Sequence, residues 1–233
     1  EPQYEAGMGS VVFIDEGHFN FHTKEGGYKA FAKLLERDGY KVLPYQGEFA
    51  KGELSRGDIL VISNALNEFT VENWYLPTPS AFTTSEIKVV KKWVKKGGSL
   101  FLIADHMPMA GAAEDLAREF GFEFTNGFAV DTITRGPAFF TTHEGSLNVN
   151  LITQGRDTSE SVEHIASFTG QAFRLPGDAT PILTFRKNFV NLLQYCKTAG
   201  MIPDAPLVGA VTILPPAAFS SATEIANMLS QRI

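Results

Sequence analysis

The chain has 233 residues, of which 44% are hydrophobic and 20% are charged, a composition typical of an ordinary globular protein. The formal net charge of -6 argues against a nucleic-acid or anionic-membrane partner, either of which would need a basic face. No apolar run approaches the roughly 20 residues of a membrane span, and the single cysteine excludes an intrachain disulfide.

Strands and helices alternate in the first half of the chain. Continuous apolar runs predict strands buried on both faces, at residues 10–15, 41–44, 58–63 and 99–104. Apolar residues at helical spacing predict helices at residues 28–35, 83–96 and 110–120. Thr83 and Glu86 form a predicted capping box at the start of the second of these helices. The alternation predicts an α/β fold with an open, mostly parallel sheet.

The second half of the chain has a different pattern. Short β-like runs predict a small β-rich subdomain at residues 125–175, within one α/β domain that spans residues 1–233. They include a hairpin around Gly145. Further predicted strands are residues 164–173, 181–185 and 207–214, and further predicted helices are residues 188–197 and 221–233.

Polar side chains follow three of the predicted strands. In an open parallel sheet, ligands bind outside the carboxyl ends of the strands, so these residues are the candidates for function. They are Asp15, Glu16, His18, Asn20 and His22 after the first strand, Asn64 and Asn67 after the third, and Asp105 and His106 after the fourth. We expect the functional site at this edge of the sheet.

The two histidines after the first strand are candidate metal ligands. An extended segment places His18 and His22 on one face, and a helical segment makes them neighbours at i and i+4. Two histidines with a carboxylate and a water form a typical catalytic zinc site. Asp15, Glu16 or Asp105 is predicted as the carboxylate, for a divalent ion such as zinc or calcium. The alternative is that both histidines bind loop carbonyls and hold the loop closed.

Asp105 and His106 lie at a predicted strand-to-helix turn, a position where related sheets place catalytic groups. They are predicted as a general base or metal ligand, and Glu16 is a third catalytic candidate. The alternative is that Asp105 caps the following helix. The sequence has neither a G-x-S-x-G nucleophile motif nor a nucleotide-binding glycine motif, so neither a standard serine triad nor a nucleotide cofactor is predicted.

Residues 64–82 form a long segment with little periodicity, and such loops are usually functional or disordered. Trp74 and Tyr75 in this segment are predicted to line an apolar wall of a substrate pocket. The predicted substrate-binding residues are Asn20, Asn64, Asn67, Trp74 and Tyr75. The alternative is that the aromatic rings only anchor the loop.

Four segments resemble a poorly characterised bacterial family with a class I glutamine amidotransferase-like fold, as in ThuA-like and DUF4350-type proteins. The segments are residues 15–23 (DEGHFNFHT), 64–68 (NALNE), 71–80 (VENWYLPTPS) and 102–108 (LIADHMP). The resemblance covers about residues 10–185 and implies a flavodoxin-like open sheet with helices on both faces. Neither Ala104 nor Asp105 is the cysteine of glutaminase chemistry, and residues 186–233 depart from the family pattern.

These residues favour a hydrolase that acts on a small ester, lactone or amide, in which a metal ion lowers the pKa of the attacking water. The alternative is a non-catalytic domain of the same fold that binds a small ligand or a sugar. A third hypothesis is a scaffold that contacts a protein partner through its long loop. The first two hypotheses require a small-molecule ligand. The resemblance also implies export to the periplasm or the medium.

Overall fold

The computed structural model describes residues 1–134 and 137–192, together with the backbone of residues 208–209 and 212–213. Its central sheet has five strands: β1 (Val11–Asp15), β2 (Lys41–Tyr45), β3 (Ile59–Ser63), β4 (Ser99–Ile103) and β13 (Thr212–Ile213). Their order is β2-β1-β3-β4-β13, in which the first four strands are parallel and β13 is antiparallel. The predicted α/β class with a mostly parallel sheet is confirmed.

The helical segments are α1 (Lys29–Arg37), α2 (Lys51–Leu54), a 3₁₀ helix (Glu68–Thr70), α3 (Thr84–Val94), α4 (Met109–Arg118) and α5 (Leu151–Gln154). The predicted start of α3 is observed. Thr83 and Glu86 form the capping box of α3, and Gly39 follows α1 with a φ of +93°, which glycine adopts without strain. None of the helices in the described residues is long and apolar enough to cross a membrane.

Alternate residues of the parallel strands face two separate cores. Val12 and Ile14 of β1 pack in one core with α1, whereas Phe13 packs in the other. That second core includes buried residues of α2, α3 and α4. Because β1, β3 and β4 are buried on both faces, each of them contains a continuous apolar run, and this is why the sequence pattern predicted them.

Small antiparallel sheets form most of the second half. The strands are β5 (Glu123–Phe124), β6 (Phe128–Asp131), β7 (Ala138–Thr141), β8 (His164–Ser167), β9 (Ala172–Arg174), β10 (Leu183–Thr184), β11 (Phe189–Leu192) and β12 (Val208–Gly209). One sheet has the order β10-β12-β9-β5, and the other two are the pairs β6-β11 and β7-β8.

Several predictions for this half were wrong. Strand β7 pairs with β8 rather than with the residues after Gly145, because Asn150 caps the short helix α5 there. Residues 189–192 form β11 instead of a helix, since they pair with β6 along its whole length. The predicted strand 207–214 is two short strands, because β12 joins one sheet and β13 another. The predicted helix 221–233 and the remainder of 193–233 lie outside the described residues.

Candidate functional site

His18 lies between two buried carboxylates. Its Nδ1 is 2.9 Å from Oδ1 of Asp15, and its Nε2 is 2.8 Å from Oε1 of Glu86 in α3. The three side chains are buried, with His18 the most exposed at 6%. Phe49 and Phe82 flank the imidazole, at centroid distances of 4.5 Å and 4.9 Å. The group therefore joins the end of β1 to the start of α3.

The two carboxylates determine the charge of His18. Burial alone lowers the pKa of the imidazole, but the hydrogen bonds and charges of Asp15 and Glu86 outweigh burial and raise that pKa. Burial raises the pKa of Glu86, but hydrogen bonds from Thr83, His18 and Phe49 outweigh it and lower that pKa. Both shifts favour an imidazolium that donates one hydrogen bond from each ring nitrogen.

This arrangement gives His18 two carboxylate partners in place of the metal ion predicted for it. Metal ligation needs a lone pair on a ring nitrogen, and both nitrogens of His18 face carboxylate oxygens. Its predicted partner His22 points elsewhere, because Phe19 between them has a φ of +47° and the segment is neither extended nor helical. In the described residues, no group of three or more His, Cys, Asp or Glu side chains is arranged to hold a metal ion.

Two further predicted residues bind the chain itself. Asn20 donates to Oδ2 of Asp15 at 2.9 Å and accepts from the His18 backbone N–H. Glu16 accepts from the backbone of Lys24 and from the Gln46 side chain. These contacts give Asn20 and Glu16 a structural role at the end of β1.

Asn67 also binds its own loop. Its side chain caps the 3₁₀ helix by accepting from the Phe69 backbone N–H, and donates to the Ser80 carbonyl at 2.8 Å. Thus Asn67 holds together the two ends of the long loop.

His22 has a different environment from His18. Its Nδ1 lies 3.1 Å from Oγ of the buried Ser63, and its ring stacks on Tyr28 at 4.6 Å. Burial lowers the pKa of His22, and the charge of Asp105 offsets only part of that effect. His22 is therefore a neutral imidazole near a carboxylate at pH 7.

Asn64 connects β3 to the segment after β4. Its φ of +48° is in the left-handed region, which asparagine tolerates better than most residues, and its Oδ1 accepts from the Asp105 backbone N–H at 2.8 Å. The Asp105 side chain in turn accepts from the His106 backbone N–H at 2.8 Å. Helix α4 begins at Met109 without a side-chain cap, so Asp105 is not its cap.

His106 lies within a row of aromatic rings. It stacks on Phe128 at a centroid distance of 4.3 Å, and Trp74 lies 5.5 Å away on a tilted plane. Nδ1 of His106 is 2.6 Å from the Met107 carbonyl, which only accepts, so the proton is on Nδ1. Trp74 and Tyr75 are each 43% exposed, and no ring contact joins Tyr75 to the rest of the described structure.

The structure thus separates two groups at one sheet edge. The Asp15–His18–Glu86 group is buried and bonded to itself. The second group, which we call the crest site, consists of His22, Trp74, Asp105, His106 and Phe128. The sequence did not indicate Glu86 or Phe128 as members of either group, although Glu86 lies on the apolar stripe of α3, where a charged residue suggests a buried partner.

Comparison with known proteins indicates the fold only. No protein-family model matches the chain, and no curated protein matches it. Among solved structures, the mmIFT52 N-terminal domain is similar, with 15% sequence identity and a TM-score of 0.56 over 75% of this chain and 72% of that chain. At this identity the similarity shows a shared fold and carries no information on activity.

Proposed function

We propose that this chain is a non-catalytic domain that binds a sugar or a similar polyol at the crest site. The observation that carries the proposal is the ring row of Trp74, His106 and Phe128 beside the carboxylate of Asp105. Sites for small ligands typically combine aromatic walls with a few fixed polar groups.

The polar groups of the crest site offer acceptors. Nδ1 of His106 donates to the Met107 carbonyl, which leaves Nε2 as the ring nitrogen that can contact a ligand. The Asp105 carboxylate accepts a hydrogen bond from the His106 backbone N–H. The backbone N–H of Asp105 donates to the Asn64 side chain. A ligand rich in hydroxyl donors satisfies these acceptors, and fixed acceptors lower the cost of ordering the site on binding.

The aromatic groups offer an apolar surface. Trp74 is 43% exposed although it contacts His106, so one part of its ring is packed and another part is open. A sugar has apolar C–H faces as well as hydroxyl groups, and amphipathic rings such as tryptophan suit a ligand of that kind.

The topology supports the same location. β1 is followed by β2 on one side and is bordered by β3 on the other, so the order reverses between β1 and β3. Ligands of open α/β sheets bind at this reversal, and His22 and Asn64 follow these two strands. We also propose that the sheet is flavodoxin-like and of the amidotransferase-like type, which the order β2-β1-β3-β4 supports.

Tryptophan fluorescence offers a direct test, since the chain has only two tryptophans, Trp74 and the buried Trp93. A glycan array identifies a ligand, and titration of that ligand should change the emission of Trp74. Trp74→Ala should weaken binding by roughly tenfold, the effect of a central aromatic contact. Phe69→Ala is the matched control, because Phe69 is an exposed ring of the same loop. Absence of any glycan ligand, or equal affinity of wild type and Trp74→Ala, contradicts the proposal.

A hydrolase of small esters, lactones or amides is a second candidate, and the environment of His22 favours it. The lowered pKa keeps this imidazole neutral, and a neutral imidazole near Asp105 can act as a general base. A metal-assisted form of this reaction would need His22, Asp105 and His106 to move together, because no three such side chains of the described residues are arranged to hold a metal ion. Turnover of an ester or lactone that falls at least about tenfold in His22→Gln supports this candidate. A rate equal to the uncatalysed one removes it.

A further inference from the structure

A cavity lies among the small antiparallel strands of the second half. It holds about 70 Å³ and shares no lining residue with the crest site. Three of its walls are the rings of Phe140, Phe185 and Phe189, which form a cluster with centroid distances of 4.5 to 5.8 Å. Asp131 and Gln171 also line it, although they are 3% and 1% exposed.

In each of these two buried side chains, one polar atom forms hydrogen bonds and the other has no hydrogen-bond partner among the described residues. Oδ1 of Asp131 accepts from the Ile133 backbone and from the Asn188 side chain, whereas Oδ2 has no hydrogen-bond partner among the described residues. The Gln171 amide nitrogen donates to the Ala104 carbonyl at 3.2 Å, which fixes the orientation of the amide. Its Oε1 has no partner among the same residues.

The nearest cation does not satisfy Asp131. Nη2 of Arg186 is 3.9 Å from Oδ2, too far for a hydrogen bond, and Nη1 of Arg186 binds Glu144 at 2.7 Å. Burial raises the pKa of Asp131, but hydrogen bonds from Ile133 and Asn188 outweigh it and lower that pKa, so the carboxylate is ionised. A buried charge with an unsatisfied oxygen is costly, and native structures rarely leave one without a partner.

We propose that this cavity binds a small organic ammonium ion. Its N–H groups would donate to Oδ2 of Asp131 and Oε1 of Gln171, and its positive charge would neutralise Asp131. The aromatic walls suit both the hydrocarbon part of such a ligand and the face-on approach of a cation. The positive charge distinguishes this ligand from the polyol proposed for the crest site.

The size of the cavity limits the ligand. One water needs about 10–15 Å³ of this kind of volume, so the cavity has room for roughly five to seven non-hydrogen atoms. Butylammonium falls in this range. Its neutral counterpart 1-butanol has the same number of non-hydrogen atoms and one donor, and is therefore the matched ligand for testing the role of charge.

The experiment is an NMR titration of the whole ¹⁵N-labelled chain with butylammonium chloride and, separately, with 1-butanol. We expect butylammonium to shift the side-chain amide signal of Gln171 and the backbone signal of Ile133, and to bind more tightly than 1-butanol. Asp131→Asn keeps Oδ1 for Ile133 and should weaken butylammonium binding by at least about tenfold, the effect of losing a charged hydrogen bond. Asp178→Asn, which removes an exposed carboxylate, should have no effect.

A second variant covers the case in which Asp131→Asn does not fold. Ala138 lines the cavity, so Ala138→Val should fill part of it and abolish binding while every polar group remains. Equal binding of 1-butanol and butylammonium overturns the proposal, because charge recognition is then absent. Signal shifts that are confined to other parts of the chain, or an unchanged affinity in folded Asp131→Asn, also overturn it.

Discussion

The buried group of Asp15, His18 and Glu86 leads to a quantitative prediction about stability. The informative substitution is His18→Phe, because a phenyl ring has nearly the shape of the imidazole. It would remain packed between Phe49 and Phe82, which now lie 4.5 Å and 4.9 Å from the His18 ring. The substitution therefore removes both hydrogen bonds and the positive charge while it preserves the packing.

The expected loss in the free energy of unfolding depends on the hydrogen bonds that the two carboxylates keep in His18→Phe. Removing one partner of a buried ion pair costs about 3–5 kcal/mol, because the other charge remains buried. Asp15 would keep hydrogen bonds from Gly17 and Asn20, and Glu86 would keep those from Phe49 and Thr83. Since backbone and amide dipoles still stabilise both charges, we expect the lower end of that range, about 3 kcal/mol in the free energy of unfolding.

The pH dependence of stability gives an independent signature. The pKa of His18 is raised in the folded state, so its contribution is complete below its unfolded pKa of about 6.5 and is lost as pH rises through the folded pKa. The pKa of Glu86 is lowered, so its contribution is present above about pH 4.3 and is lost as pH falls through the folded pKa. The group is thus most stabilising between about pH 4.3 and 6.5.

Urea unfolding followed by circular dichroism at several pH values measures both effects. Wild type should lose stability as pH rises above about 6.5, and His18→Phe should lack that decline. His143→Phe is the matched control at an exposed position, with an expected change within about 0.5 kcal/mol. A loss below about 1 kcal/mol in His18→Phe, or the same pH slope as wild type, would refute the reasoning.

Two further predictions concern the backbone around the site. Asn64→Gly keeps the left-handed conformation but loses the acceptor for Asp105, so we expect a loss of about 1 kcal/mol, and Asn64→Ala should lose about 1 kcal/mol more through backbone strain. Gly17→Ala would place its Cβ 2.3 Å from the Gly47 carbonyl oxygen and should cost about 1–3 kcal/mol. Gly52→Ala, with no atom within 4 Å, should cost nothing. Urea unfolding checks each value, and equal stability of Gly17→Ala and Gly52→Ala would contradict the second prediction.

The parallel sheet could be predicted because most of its strands are short, continuous apolar runs, and the alternation of such runs with helices is typical of parallel strands. Residues 11–14 of β1 are all apolar, and such a run is typical of a strand that is buried on both faces; glycines and charged helices separate these runs. The region of β11 could not be predicted in this way. Its apolar residues fit both the spacing of a helix and the alternation of a strand over so short a length. The pairing with β6 determines that they form a strand.

The sheet edge at which the polar residues lie could be predicted, but the hydrogen-bond partners of these residues could not. The hydrogen bond between His18 and Glu86 spans 68 positions of the chain, and Glu86 already has a local role in the capping box. A single sequence shows local roles such as a helix cap, but it does not show which distant residues come into contact. The position of Glu86 on the apolar face of α3 was the available signal, because ionised side chains there need a buried partner.

His18 and His22 look equivalent in the sequence, yet their pKa values shift in opposite directions. The cause is local backbone geometry: Phe19 adopts a φ of +47°, so the even spacing of the imidazoles does not place them together. One turns toward the core that contains Phe49 and Phe82, and the other toward Tyr28 beside the opposite core. The raised pKa of His18 favours the imidazolium form, which joins β1 to α3. His22 keeps a neutral ring near Asp105, so the ligand recognition that we propose at this edge depends on the His22 side.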